Sequence, residues 1–400
     1  MTPSDPTPAR TRWGVVALLV GVGIVAAFQM GKAAGALPQL RADLGLDLVE
    51  AGWLVSIFSL IGASAGMLAG SIADRFGRRE VLLVAILLLM LGSYGTDDAV
   101  TLLIGRVIEG CGFVAIVAVS PALVVSATAP ADRGLALAIW TVYLPVGLAT
   151  MIVGAPPFMA EVGGWRDLWH ANGLLAGAML AAAALGTRGL GAQPAGAQPA
   201  PWASIRTVVM RPRSFLVAVP FACYSLNFLA VSAFLPTFLI ERRGATPAEA
   251  GALVAAAILC NALGNLVAGA MMRRAVPPWA VTAIGCAAMG VTSLGIFPEV
   301  LPGALRQACA MAFLFFGGFV APSVLASAAR HAPSPALVGT SMGLTMQLVS
   351  TGHLLGPPAL AAVVAVSGSW EAAALLTSAL CTTGVIAALA LRRLEARTRP

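Results

Sequence analysis

Residues 70–79 read Gly70-Ser-Ile-Ala-Asp74-Arg75-Phe-Gly77-Arg78-Arg79 and stand between two long apolar runs. The glycines suit a tight turn and close helix approach. The carboxylate can face the positive end of a helix, and the arginines hold the turn on one side of a bilayer. Outward from this stretch the chain stays apolar. Its 400 residues are 59% hydrophobic and 10% charged, against roughly 45–50% and about 25% in soluble domains. At about 20 apolar residues per crossing, the hydrophobic fraction matches roughly twelve spans with short loops, which leaves no room for a sizeable soluble catalytic domain.

Apolar runs between charged or Pro/Gly breaks predict twelve helices, near 14–36, 50–73, 80–96, 99–127, 134–158, 168–187, 214–238, 248–271, 279–297, 303–329, 338–365 and 371–391. The first run is longer than the apolar core of a signal peptide and is expected to remain as a span. A net charge of +7 raises nucleic acid as a partner, but 23 of the 24 basic residues are arginines scattered between apolar runs, so that partner is not expected. With the N-terminus inside, seventeen arginines fall in cytoplasmic segments and five outside, with Lys32 and Arg106 embedded. This asymmetry predicts a multi-pass protein of a bacterial-type inner membrane with both termini cytoplasmic. The six cysteines lie in apolar runs without metal-site spacing, and no metal or cofactor is expected.

Gly186 to Pro201 reads GTRGLGAQPAGAQPAP, a linker composition. It divides the chain into an N-terminal six-helix bundle (1–187), a cytoplasmic linker (188–213) and a C-terminal six-helix bundle (214–400). The halves echo one another. Glu50-Ala-Gly-Trp-Leu-Val recurs as Glu249-Ala-Gly-Ala-Leu-Val, Leu37-Pro38 as Leu235-Pro236, and Gly154-Ala-Pro-Pro157 as Gly356-Pro-Pro358. Duplicated bundles around a midplane site are an arrangement of carriers that rock between two states.

The stretch 70–79 resembles the motif joining helices two and three in the major facilitator superfamily, commonly written G-x-L-A-D-R-x-G-R-R/K, and Arg106-Val-Ile-Glu109-Gly110 is similar to that superfamily's R-x-x-Q-G. The resemblance covers the whole chain in helix count, linker and duplication. It implies an all-α membrane protein of twelve transmembrane helices in two pseudo-symmetric bundles. It also implies a gate in which Gly70, Asp74, Arg75, Gly77, Arg78 and Arg79 hold the inner side together, Asp74 facing the start of helix eleven near Gly339 and an arginine pairing with Asp132. The matching loop of the second half, Gly269-Ala-Met-Met-Arg273-Arg274, lacks the Asp and the later Gly. Helix five lacks the glycine-rich pattern of the superfamily's antiporters. The stretch Ala27-Phe-Gln-Met-Gly-Lys32, with Leu37-Pro-Gln-Leu-Arg-Ala-Asp-Leu-Gly-Leu46 and Ala51-Gly-Trp-Leu-Val-Ser56, is diffusely similar to cyanate-permease-like and nitrate-carrier-like members.

An ionised side chain near the bilayer centre costs roughly 2.5–3.5 kcal/mol on insertion scales, so each embedded charge is a candidate for function. Lys32, the sole lysine, shares a face of helix one with Gln29; its bland alternative is snorkelling to the interface. Arg106 and Glu109, three apart on helix four, are placed to pair and leave Lys32 unbalanced, so the cavity carries a net positive charge that favours an anion. Tyr224, Asn227 and Gln347 are candidate neutral substrate contacts, with helix-to-helix hydrogen bonding the equal alternative. Glu109 and His353 are the proton-coupling candidates.

No enzyme is expected. Gly339-Thr-Ser341-Met-Gly343 matches the hydrolase G-x-S-x-G but lies where a membrane helix begins, with no strand before it. The expected function is a monomeric secondary transporter of a small, negatively charged solute, working by alternating access, with lipid around it and the proton as the candidate coupling ion. A proton-driven drug or metabolite exporter and a non-transporting membrane sensor are the rivals.

Overall fold

A computed structural model describes residues 10–94, 98–129, 132, 136, 139–190, 201–298, 301–334 and 337–398, leaving aside the side chains of 69–76, 201–204, 329, 338–339 and 397–398. Among these residues the chain forms helices and no strands. The first half holds α1 (Trp13–Leu44), α2 (Leu48–Ser56) running through a 3-10 turn (Ile57–Ser59) into α3 (Leu60–Phe76), α4 (Arg78–Gly92), α5 (Ala99–Ser126), α6 (Tyr143–Phe158) and α7 (Trp165–Gly186). A short helix α8 (Pro201–Val209) lies within the expected linker. The second half holds α9 (Pro212–Arg243), α10 (Pro247–Arg273), α11 (Pro278–Ser293), α12 (Gly303–Gly317), α13 (Val320–Arg330), α14 (Val338–Ser367) and α15 (Glu371–Thr398).

Ten helical runs among the described residues are long and apolar enough to cross a membrane. The remaining two apolar helices, α4 and α11, have 15 and 16 residues, about 22–24 Å at 1.5 Å per residue against a hydrocarbon core of about 30 Å. Helix one runs beyond its expected end, through Pro38 to a left-handed Gly45 at φ 65°. α9 does the same, through Pro236 to Gly244 at φ 62°. Proline is tolerated inside a membrane helix because neighbouring helices serve the carbonyl it frees, so the Leu-Pro pairs do not end these spans. The next helices both start with a capping box, Asp47 with Glu50 and Thr246 with Glu249. The expected helix 303–329 is interrupted at Gly318-Phe319, where a Cβ on Gly318 would run into the backbone of α10.

Packing repeats between the halves. α1 packs on α6 and α7 while α4 packs on α5 and α7; correspondingly α9 packs on α14 and α15 while α11 packs on α12 and α15. Between the halves, α2 and α3 run along α14, α6 runs along α10, and α1 touches α9. At the end of the bundle away from the chain termini, Arg41 Nη1 and Glu241 Oε1 join α1 to α9 at 2.7 Å. The pair is partly exposed, so it contributes about 1 kcal/mol at most. Beside it lies an apolar cavity of about 260 Å³, lined from both halves by Pro38, Ile152, Pro156, Pro236 and Gly251 among others.

The turn between α3 and α4 is made by Gly77 at φ 91°, where a Cβ would also press on the Glu80 carboxylate. An L side chain there is strained by roughly 1–2 kcal/mol. Gly77→Ala is therefore expected to lower the thermal midpoint of the purified protein, whereas Gly14→Ala, in a helical site with nothing near its Cβ position, is expected to leave it unchanged or raise it.

Candidate functional site

Close helix crossings bring the embedded charges together. α4 and α5 cross at Gly92 and Gly105, where a Cβ on Gly92 would stand 2.6 Å from the Gly105 carbonyl oxygen and 2.7 Å from Glu109 Cγ. α1 lies against α6 at Gly31, with no room for a Cβ beside Met151. The small residues around Lys32 thus serve helix approach. They set Gln29 and Lys32 of α1, Ser93 after α4, and Arg106 and Glu109 of α5 in one cluster with no solvent exposure.

The Glu109 carboxylate sits between two cations. Lys32 Nζ donates to Glu109 Oε1 at 2.5 Å and Arg106 Nη1 to Glu109 Oε2 at 2.6 Å. Arg106 Nη1 also donates to the Gln29 main-chain oxygen at 2.5 Å. Ser93 Oγ accepts from Lys32 Nζ at 3.1 Å and is within reach of Glu109 Oε1, Gln29 Oε1 and Leu89 O at 2.9, 3.3 and 3.0 Å, one hydroxyl proton serving three acceptors. Aromatic faces complete the shell: Lys32 Nζ lies 4.6 Å from the Trp169 ring centre, and the Arg106 guanidinium 4.6 Å from that of Phe58. Arg106 Nε and Nη2 have no hydrogen-bond partner among the described residues.

One alternative falls and one expectation changes here. Lys32 does not snorkel, since its side chain is fully buried. Nor is it left unbalanced by an Arg106–Glu109 pair: both cations share one carboxylate. With all three groups ionised the cluster still carries one excess positive charge, spread over Lys32 and Arg106.

The candidates of the second half point elsewhere. Tyr224 OH accepts from Asn261 Nδ2 at 2.9 Å, which also donates to Leu314 O at 2.8 Å, a bond set joining α9, α10 and α12. Asn227, fully buried, donates to Thr377 O at 3.2 Å and Cys381 Sγ at 3.3 Å, towards α15 of its own half. Helix joining accounts for the Tyr224 contact and for the Asn227 amide donor, while Asn227 Oδ1 has no hydrogen-bond partner among the described residues. Gln347 crosses to the other half, where Oε1 accepts from Met67 N at 3.2 Å and Nε2 donates to Ser64 O at 3.4 Å. His353 is buried on α14 and makes no hydrogen bond or ion pair with a described residue.

Of the motif 70–79, the side chains of Gly70, Asp74 and Arg75 lie outside the described residues, as does Gly339 across the expected contact. Arg79 Nη2 donates to Ala184 O at 2.9 Å on α7, within its own half. Asp132 accepts from the Thr11 hydroxyl, and Thr11 Oγ1 accepts from Ala129 N at 3.0 Å, tying the start of α1 to the segment after α5.

Ser93, Trp169 and Phe58 escaped the sequence reading. Ser93 carried a weak signal, as the polar residue after Gly92 at the end of an apolar run. The two aromatics carried none, because rings in apolar helices are usually core. Removing one partner from a buried ion cluster costs about 3–5 kcal/mol when a charge is left uncompensated. Glu109→Leu strands two cations and is expected to destabilise the protein by that order, while Lys32→Met leaves a neutral Arg106–Glu109 pair and is expected to be milder. Thermal unfolding in detergent ranks them.

The family model described as Major Facilitator Superfamily matches residues 19–357. Over 359 residues, 86% of this chain and 83% of the relative, the chain is 27% identical to a 3-(3-hydroxy-phenyl)propionate transporter of Escherichia coli (strain K12). A shorter match, 32% identical over 133 residues, covers 32% of this chain and 24% of the multidrug export protein EmrB of Haemophilus influenzae. Among solved structures, a bacterial homologue of the human lysosomal transporter Spinster, in an inward-facing and unoccupied conformation, aligns with a TM-score of 0.75 at 18% identity, over 99% of this chain and 98% of that one.

Proposed function

Because this chain belongs to the Major Facilitator Superfamily, a family of membrane transporters, we propose that it is a secondary active transporter moving a small organic anion across a bacterial inner membrane by alternating access. The observation that carries this reading is the buried cluster in which Lys32 and Arg106 share the single carboxylate of Glu109. A solute carboxylate supplies the missing negative charge. It would take the free Arg106 donors and compete with Glu109 for Lys32, and Phe58 and Trp169 give a ring or short chain apolar company. The relative with a hydroxyphenylpropionate in its name points to the same chemistry, an aryl carboxylate. A carrier of lipophilic cations needs the opposite balance, carboxylates in excess of cations, so the exporter reading fits this cluster less well.

The test is counterflow in proteoliposomes with 3-(3-hydroxyphenyl)propionate, benzoate and nitrate beside the lipophilic cation tetraphenylphosphonium. Exchange of at least one anion is expected, with loss of roughly a hundredfold or more in Lys32→Ala and Arg106→Ala, the scale of a desolvated charge contact worth about 3 kcal/mol. Exchange of the cation alone, or anion exchange unchanged in both variants, contradicts the proposal.

The same cluster supports coupling to protons. Protonating Glu109 releases two cations, so anion and proton load together, and deprotonation lets Glu109 expel the anion. Glu109→Gln is then expected to keep anion exchange, which needs no net proton movement, and to lose accumulation driven by a pH gradient. Retained gradient-driven uptake in this variant moves the coupling elsewhere, with His353 the next titratable group to test.

A further inference from the structure

α3 is broken in its second turn. Ala65 has φ −134° and ψ 16°, outside helical values, and no proline stands in this helix. Ser64 Oγ donates to Leu60 O at 2.8 Å, a back-bond that bends helices. The backbone groups flanking the break are met from the other half of the protein: Met67 N–H donates to Gln347 Oε1, and Ser64 O accepts from Gln347 Nε2. This reach across the seam is possible because α3 and α14 come close on small residues. A Cβ on Gly66 would stand 3.3 Å from Gln347 Cα, Gly343 faces Met67 at 3.4 Å, and Gly62 has no room for a Cβ against Ser350.

A backbone group left unserved inside a membrane costs several kcal/mol. The bent form of α3 is therefore favourable only while a polar side chain serves the break, and that side chain belongs to the half that moves against it. We propose that Gln347 is a positioning residue of the transport cycle, which holds α3 bent while α3 and α14 are together. When α14 withdraws, Met67 N–H and Ser64 O return to the helical ladder, α3 straightens, and the turn at residues 70–79 swings with its end. The break is thus a two-state element whose balance depends on contact between the halves. This inference rests on the alternating-access part of the proposed function and not on the choice of solute.

Hydrogen–deuterium exchange of the full-length protein in nanodiscs, without added solute, tests it. In Gln347→Met, which keeps length and removes both bonds, loosening the inner seam favours closure of the outer one, so exchange is expected to fall roughly fivefold or more at residues 38–50 and 236–250. These flank the Arg41–Glu241 contact at the opposite end of the seam, and a purely local bond would not affect them. A rise at 38–50 and 236–250, or changes in Gln347→Met confined to residues 60–70, overturns the proposal. If Gln347→Met exchanges fast throughout because it fails to fold, Ser64→Ala decides: it weakens the bend from the α3 side, and a fall at 38–50 and 236–250 supports the proposal while a rise or no change there overturns it. Failure of anion counterflow leaves this experiment unaffected.

Discussion

The site depends on the cost of placing charge in a medium without water. Lys32, Arg106 and Glu109 are fully buried, and two ammonium-type charges cannot remain there without a counter-charge and hydrogen bonds. One carboxylate bridging both cations, a serine hydroxyl, a main-chain oxygen and two aromatic faces supply these contacts. The arrangement is strong but short of neutral by one charge. In the proposed function such a site would be firm enough to hold the helices in register when empty and unbalanced enough to exchange its internal carboxylate for one that arrives with a solute.

Glycine makes the cluster possible. At Gly92 and Gly105 the backbones of α4 and α5 touch, which brings Ser93 and Glu109 within a hydrogen bond. Likewise Gly110 leaves no space for a Cβ against the Phe58 carbonyl, so the ring beside Arg106 is fixed by backbone contact. In lipid, where the hydrophobic effect does not draw helices together, such close contact is the main source of association. The same principle governs the seam, where Gly62, Gly66 and Gly343 let α3 and α14 meet.

Much of this was legible in the sequence, and the limits have physical causes. The turn at Gly77 was readable because a positive φ needs glycine, and the embedded charges because each is expensive in a membrane. The ends of α1 and α9 were misplaced because Pro38 and Pro236 interrupt a helix in water far more than among packed helices. Side chains on a shared helical face were identified correctly for Gln29 and Lys32, but periodicity does not say which neighbour that face meets. Tyr224 and Asn227 therefore turned out to join helices of their own half. The bend at Ala65 left no trace, since alanine is a strong helix former and the side chain that meets the break, Gln347, lies 282 residues away.

The central claim is that a solute anion replaces Glu109 as the counter-ion of Lys32 and Arg106. A cryo-electron microscopy structure with 3-(3-hydroxyphenyl)propionate bound tests it most directly. The account predicts the solute carboxylate at hydrogen-bond distance, about 3 Å, from Lys32 Nζ and the free Arg106 nitrogens, with Glu109 withdrawn from at least one cation. Solute bound elsewhere, with both Glu109 contacts intact, would contradict it.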